Sequence, residues 1–302
     1  MDTLESIRNK TEGAKDLRSV VSAMKAMASS NIVQYQTAVS SLGDYYHTVA
    51  LGIIAYFKAE KIESISKKKE IEKMNKPKHE KKICAIVFGS DQGLVGQFND
   101  AMSEFVLSSL KALPGEKEVW AVGERVQKLL LDVGFGRTTL YQVPASVGEI
   151  TSLVQKILDK CQESQQRDHI VEFYIFHNQP VESSAYQQVM QRFLPLDEKW
   201  RNTLTELKWP TKLTPQIAGI AHPTLLALIS AYLFTSLFKA CAESLASENV
   251  SRLEAMQRAE KNILDLLDEL DSQYHRLRQS SIDEELFDVI SGFEALKGQN
   301  EY

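Results

Sequence analysis

Residues 223–297 read PTLLALISAYLFTSLFKACAESLASENVSRLEAMQRAEKNILDLLDELDSQYHRLRQSSIDEELFDVISGFEALK, and this stretch decides the fold. After Pro223 no proline interrupts it and Gly292 is its single glycine. A helix of that extent, rising about 1.5 Å per residue, would run roughly 110 Å, wider than any compact domain. Leu253, Met256, Ile263, Leu267, Leu270, Tyr274 and Leu277 recur at three-and-four spacing, with Glu260 interrupting. That is the seam of a supercoiled helix in need of a partner. The stripe resumes at Ile282, Leu286, Val289, Phe293 and Leu296, so its phase is expected to slip at Arg278-Gln279-Ser280-Ser281, where polar residues take the seam.

The partner lies at the other end of the chain. From Thr3 to about Lys58 the residues Leu4, Ile7, Ala14, Leu17, Val21, Met24, Met27, Ile32, Tyr35, Ala38, Leu42, Tyr45, Val49 and Ile53 follow helical spacing without a proline. Gly13, Gly43 and Gly52 each weaken this helix by roughly 1 kcal/mol relative to alanine, so it needs a second helix to stay straight. Two long stripes at opposite ends of one chain predict an antiparallel two-helix coiled coil, with everything between them forming a separate body.

That body reads as alternating strands and helices. Residues 58–82 are dense in lysine and glutamate and include Pro77, which suits a frayed helix end passing into a solvated connector, or a basic docking patch. Ile83–Phe88 is a continuous apolar run suited to a buried parallel strand. Helix Asn99–Leu113, strand Glu118–Val122, helix Glu124–Val133, strand Thr138–Val143, helix Val147–Cys161 and strand His169–Phe176 follow, and Tyr186–Leu194 fits an antiparallel edge strand. The expected fold class is α/β: a long antiparallel coiled coil of the terminal helices plus a central Rossmann-like domain. Its expected divisions are the first helix at 1–60, a charged linker at 61–82, the α/β domain at 83–200, an irregular connector at 201–222 and the last helix at 223–302.

Composition narrows the function. The chain has 302 residues, 43% hydrophobic content and a net charge of -5, which supports a packed core and gives no global case for nucleic acid. Cys84, Cys161 and Cys241 lack any CxxC or Cys/His spacing, so neither a disulfide framework nor a metal site is expected. The start, MDTLESIRNK, has neither the apolar core of a secretion signal nor the acid-poor character of a transit sequence. Thr224–Phe238 is the strongest membrane candidate but is shorter than the ~20 residues a span needs, and it reads as a helix segment buried by protein.

The chemical motifs are few. Gly89-Ser90-Asp91-Gln92-Gly93-Leu94-Val95-Gly96 follows a strand and precedes a helix, where phosphates are often held. It lacks a P-loop Lys-Ser/Thr pair and the GxGxxG order, so a tight turn needing positive φ or close approach, a protein contact surface and a ligand site are all open, in that order. Asp283-Glu284-Glu285 and Asp288 read as a solvated helix face, and no histidine has a nearby acid or nucleophile at suggestive spacing.

At the tail, Ala246-Ser247-Glu248-Asn249, Arg252-Leu253-Glu254-Ala255-Met256, Ala259, Asn262, Tyr274 through Leu286 and Gly292-Phe293-Glu294-Ala295-Leu296 closely resemble the carboxy-terminal helix of the γ subunit of F-type ATP synthases. Ser22-Ala23-Met24-Lys25-Ala26-Met27-Ala28 is similar to that family's AMKMV segment, and Ser90 through Asn99 to its SDRGLCGxxN turn. The resemblance implies a non-catalytic rotor subunit without cofactor, metal or small-molecule substrate of its own. Its implied partners are the α and β subunits of the catalytic hexamer, the ε subunit and the membrane c-ring. Its implied place is the cytoplasmic face of the bacterial cell membrane, as a peripheral part of the complex.

By the same resemblance Arg278 and Gln279, with Asp283, meet a catch loop of β. A guanidinium suits such a contact because its fork can hold a carboxylate through two hydrogen bonds. Met24, Lys25, Gly93, Leu94, Val95 and Gly96 would lie near the β levers, and Leu286, Val289, Ile290, Phe293 and Leu296 would form an apolar tip in a bearing. Ser19-Val20-Val21-Ser22, Val95, His275 and Asp283 depart from the family pattern and imply a divergent or alternative bacterial branch. The readings from other classes are a nucleotide-binding α/β enzyme with a coiled-coil arm, carried by the Gly89 turn alone, and a static coiled-coil scaffold.

Overall fold

The computed structural model describes residues 3–63, 82–167, 170–181, 184–196, 200, 202, 204, 207, 209, 210 and 221–298, with the side chains at 58–63, 171, 184, 185, 221 and 292–298 outside that description. Most of the linker and connector expected at 61–82 and 201–222 thus lies outside the described residues. The elements run α1 (Leu4–Glu63), β1 (Lys82–Phe88), α2 (Phe98–Lys111), β2 (Glu116–Val122), α3 (Glu124–Asp132), β3 (Thr138–Tyr141), α4 (Val147–Arg167), β4 (Ile170–Val181), β5 (Ser184–Leu194) and α5 (Ala221–Gly298). The fold class is α/β, with a long helix at each end of the chain and a five-stranded mixed sheet between them.

The chain divides into two compact units. One is Ser29–Arg252, the other Met1–Ala28 with Leu253–Tyr302. In the first, the sheet order is β3-β2-β1-β4-β5, parallel throughout except that β4 pairs antiparallel with β5. The parallel part is the order of a Rossmann half, and β5 is the edge strand expected at Tyr186–Leu194.

Side chains on the central strands alternate between two cores, as a pleated strand requires. Cys84, Ile86, Phe88, Phe173 and Ile175 pack with Trp120, with Ile150, Val154 and Ile157 of α4, and with Leu237, Cys241 and Leu245 of α5. Ile83, Ala85, Val87, Tyr174 and Phe176 face Met102, Val106 and Leu110 of α2 and Val126 and Leu130 of α3. A third cluster joins Val49, Ala50, Ile53 and Ile54 of α1 to Tyr232 of α5 and Leu204. Within the apolar stretch Thr224–Phe238, Tyr232 and Leu237 are buried by the chain itself, while Leu226 is exposed. All three cysteines are free and buried, and burial pushes each thiol up, Cys161 to about 12, so none carries the thiolate that reactivity needs.

The second unit is the antiparallel pair of α1 and α5 segments. Its core is Ile7, Ala14, Ala28, Met256 and Leu270. On α5 the expected seam is present: Leu253, Met256, Ile263, Leu267, Leu270, Tyr274 and Leu277 are all buried or half-buried. On α1 the expected stripe needs correction, because Leu17, Met27 and Tyr45 are exposed. Within this unit the α1 seam instead passes through Ile7, Thr11, Ala14, Val21, Lys25 and Ala28. That is heptad spacing, and it admits a threonine and a lysine that an apolar search passes over.

Candidate functional site

The turn after β1 is the one local candidate for a ligand site that the sequence offers. Its geometry is consumed by the protein. Asn99 of α2, buried, accepts a hydrogen bond from the Ser90 amide at 3.0 Å and donates to the Ser90 hydroxyl at 2.8 Å, and that hydroxyl donates to the Gln92 carbonyl at 2.9 Å. Asp91 accepts from the amide of Glu124, at the start of α3, at 2.9 Å and from the amide of Val143 at 3.0 Å. A phosphate placed here would have to displace Asn99 from the groups it satisfies.

Its glycines do different things. A Cβ on Gly89 would sit 2.4 Å from Val126, so that position is glycine for close approach to α3. Gly96 has φ 57 and Leu94 φ 63, the left-handed region that a leucine rarely adopts. Leu94 is 62% exposed, Gly96 is exposed and Gly93 half-buried beside the Arg125 guanidinium. Val95, expected with them at a partner contact, is instead buried, and its carbonyl accepts a hydrogen bond from the Ser251 hydroxyl of α5 at 2.6 Å. It is a packing residue, and the outward group of the turn is Leu94.

Next to that turn, in the same unit, α5 carries a run of buried polar side chains that hydropathy alone does not flag: Glu243, Ser244, Ser247, Glu248, Asn249 and Ser251. Glu243 Oε2 lies 2.9 Å from Nε2 of the buried His177 on β4. The Ser247 hydroxyl lies 3.1 Å from the Asn178 carbonyl, and Asn31 of α1 donates to Asn249 at 3.3 Å. Glu248 receives the Arg252 guanidinium at 2.6 Å; burial raises its pKa, Arg252 opposes that, and Asp91 adds to it.

In the helix-pair unit, Lys25 donates to Glu260 across the seam. The glutamate that interrupts the apolar pattern of α5 is therefore matched by a lysine on α1. This hydrogen bond and the Lys25 charge, with Arg18 adding, hold the Glu260 carboxyl below the usual carboxylate range. Met24, beside Lys25, is half-buried.

The same register explains the polar interruption further along. Counting back from Lys25 opposite Glu260 along an antiparallel pair sets Leu4, the first residue of α1, level with the Arg278–Ser281 turn of α5. The buried seam keeps its heptad positions through Leu277 and the half-buried Ser281, and the apolar stripe that resumes at Ile282, Leu286 and Val289 is out of that phase, as the sequence suggests, and exposed. Beyond Ser281 every residue from Ile282 to Ser291 is exposed. Arg278, Gln279 and Asp283 are exposed, as are Leu286, Phe287, Val289 and Ile290, the last four at 56%, 68%, 70% and 46%. The side chains of Phe293 and Leu296, also expected at the tip, lie outside the described residues.

Comparison with known proteins gives one answer throughout. A family model described as ATP synthase matches residues 3–296. The ATP synthase gamma chain of Hydrogenobaculum sp. (strain Y04AAS1) is 25% identical over 96% of this chain and 97% of its own length. That of Nitrosomonas eutropha is 27% identical over 98% of this chain and 100% of its own. Among solved structures, a chain of the Euglena gracilis mitochondrial ATP synthase OSCP/F1/c-ring assembly has the same fold, with a TM-score of 0.63 at 16% identity over 99% of this chain and 96% of that one. A chain of the Tetrahymena thermophila mitochondrial ATP synthase central stalk and c-ring aligns with a TM-score of 0.52 at 18% identity, covering 80% of this chain and 99% of its own.

Proposed function

Because this chain belongs to the ATP synthase gamma-chain family, we infer that it is the central-stalk rotor subunit of an F-type ATP synthase, carrying torque between an ion-driven c-ring and the catalytic β subunits. It is a non-catalytic subunit of a complex peripheral to the membrane. Its partners are the α and β subunits, ε and the c-ring.

The observation that carries this reading beyond family membership is the bare apolar end of α5. Leu286, Phe287, Val289 and Ile290 are exposed on a helix segment that no other described part of its own unit covers. An apolar patch of that kind on a solvated helix marks a surface made for another protein. The α and β hexamer is the partner that family membership supplies, with Phe293 and Leu296 continuing the same tip.

Arg278, Gln279 and Asp283, where the helix pair gives way to a single helix, are the catch-loop contact. Met24 and Lys25 on α1, and Gly93, Leu94 and Gly96 on the β1–α2 turn, are the groups near the β levers; Lys25 serves in part through its hold on Glu260. The divisions at 1–60, 61–82, 83–200, 201–222 and 223–302 stand as the working domain map. The bacterial relatives support a place on the cytoplasmic face of a bacterial inner membrane.

Reconstitution tests the assignment. The chain mixed with cognate α and β subunits gives an ATPase activity that α and β alone lack; no gain in a complex shown to contain the chain counts against the rotor role.

A further inference from the structure

We infer that the buried polar run Glu243–Ser251 of α5 is a rotational lock, which fixes the azimuth of this helix against the α/β body so that torque can pass between them. Its use in torque rests on the rotor reading; the lock itself does not.

The lock grips the helix from two sides. Glu243, Ser247 and Ser251 are spaced four apart, so they line one stripe, and each reaches a different point of the body: His177 and the Asn178 carbonyl on β4 and the Val95 carbonyl in the β1–α2 turn, the Ser247 hydroxyl sharing its proton with the Glu243 carbonyl of its own helix at 2.8 Å. Gln179 adds a donor to Glu243 at 3.4 Å. Asn249 stands roughly opposite Ser247 on the helix, at about 100° per residue, and it is held by Asn31 of α1.

The remainder of the interface is apolar. Leu233, Phe234, Leu237, Phe238, Cys241 and Leu245 bury area there, with small alanines between them, and burial of apolar area is favourable without the directionality of a hydrogen bond. A hydrogen bond between buried groups is directional and leaves an unsatisfied partner when the helix turns. Such contacts are poor contributors to net stability, but they select one arrangement among several apolar ones. Placing them where the body meets the helix that continues to Gly298 supplies the stiffness that burial alone lacks.

The test uses the full chain, with spin labels on Ser230→Cys of α5 and Glu104→Cys of the body, both exposed; the native cysteines are buried and stay unlabelled. The parental distance distribution is narrow. Glu243→Ala, and separately the milder Ser247→Ala/Ser251→Ala pair, broaden it without loss of helix content, and Glu243→Gln, which keeps a hydrogen-bonding group toward His177, restores the narrow form. An unchanged distribution in both folded variants overturns the lock. If Glu243→Ala fails to fold, the serine pair decides. In the complex with α and β, the angular spread of a probe on the body during catalytic dwells widens in the same variants; an unchanged spread overturns the torque role. A parental chain that never rotates overturns the rotor reading, while the label distances still decide the lock.

Discussion

Lys25 and Glu260 form a charged pair across the seam of the α1–α5 helix pair, and their meeting fixes which turn of one helix faces which turn of the other. A buried or half-buried polar pair at a seam position is a register device more than a source of stability.

Removing either partner is therefore expected to loosen register. Lys25→Ala and Glu260→Ala each lower the thermal midpoint of the helix pair modestly, and the exchanged pair Lys25→Glu/Glu260→Lys recovers most of the loss, as read by circular dichroism. Equal loss in the exchanged and single variants would show that the pair does not act as a unit.

The pH dependence follows with a definite sign. The folded-state pKa of Glu260 is depressed below the ordinary carboxylate value of 4.5, so its contribution is present above that value and fades as pH falls through the lower folded pKa. Glu248 behaves oppositely: its raised pKa means that ionisation opposes folding, so its contribution is lost as pH rises from 4.5 through the folded value. Glu260→Gln should flatten the acid limb of the melting profile, and Glu248→Gln should remove the decline above that limb.

Two glycines separate close approach from backbone freedom. Gly89→Ala places a methyl 2.4 Å from Val126 and costs about 2–3 kcal/mol by overpacking. Gly134→Ala, at φ 101 with open space around it, costs about 1 kcal/mol from backbone strain alone. Denaturant titration of both variants measures the difference; equal costs would mean the Gly89 contact relaxes freely.

At the exposed end, Leu286→Asp and Val289→Asp leave the stability of the isolated chain within about 0.5 kcal/mol, because both side chains are exposed among the described residues. The same changes lower ATP turnover of the complex with α and β. Arg278→Ala lowers turnover more than Lys111→Ala, which alters an exposed cation on the α/β body. Equal effects of the last two would remove the catch-loop role.

Several elements of the body are legible in the sequence as short apolar runs or helices closed by turn residues, as Ile83–Phe88 and Pro114-Gly115 show. The α5 seam is legible through its strong periodicity. What is not legible depends on distant partners. Lys25 belongs to the α1 seam only because Glu260 answers it, and Asp91 joins the turn to Glu124 and Val143, 33 and 52 residues away. Val95 reads as part of an exposed turn because hydropathy does not tell which side of a loop faces α5. The polar lock at Glu243–Ser251 escapes a sequence search because buried glutamate, serine and asparagine look like a solvated face. The phase change at Arg278–Ser281 is visible in the sequence; that it lies level with Leu4, the first residue of α1, needs the register.

A central-stalk rotor subunit turns within its complex. The most direct measurement is single-molecule observation of a probe fixed to Glu104→Cys on the α/β body, with the chain assembled in an immobilised complex with α and β and supplied with ATP. Unidirectional, stepped rotation that stops when ATP is withdrawn is the expected result. An assembled complex that hydrolyses ATP while the probe stays still would contradict it.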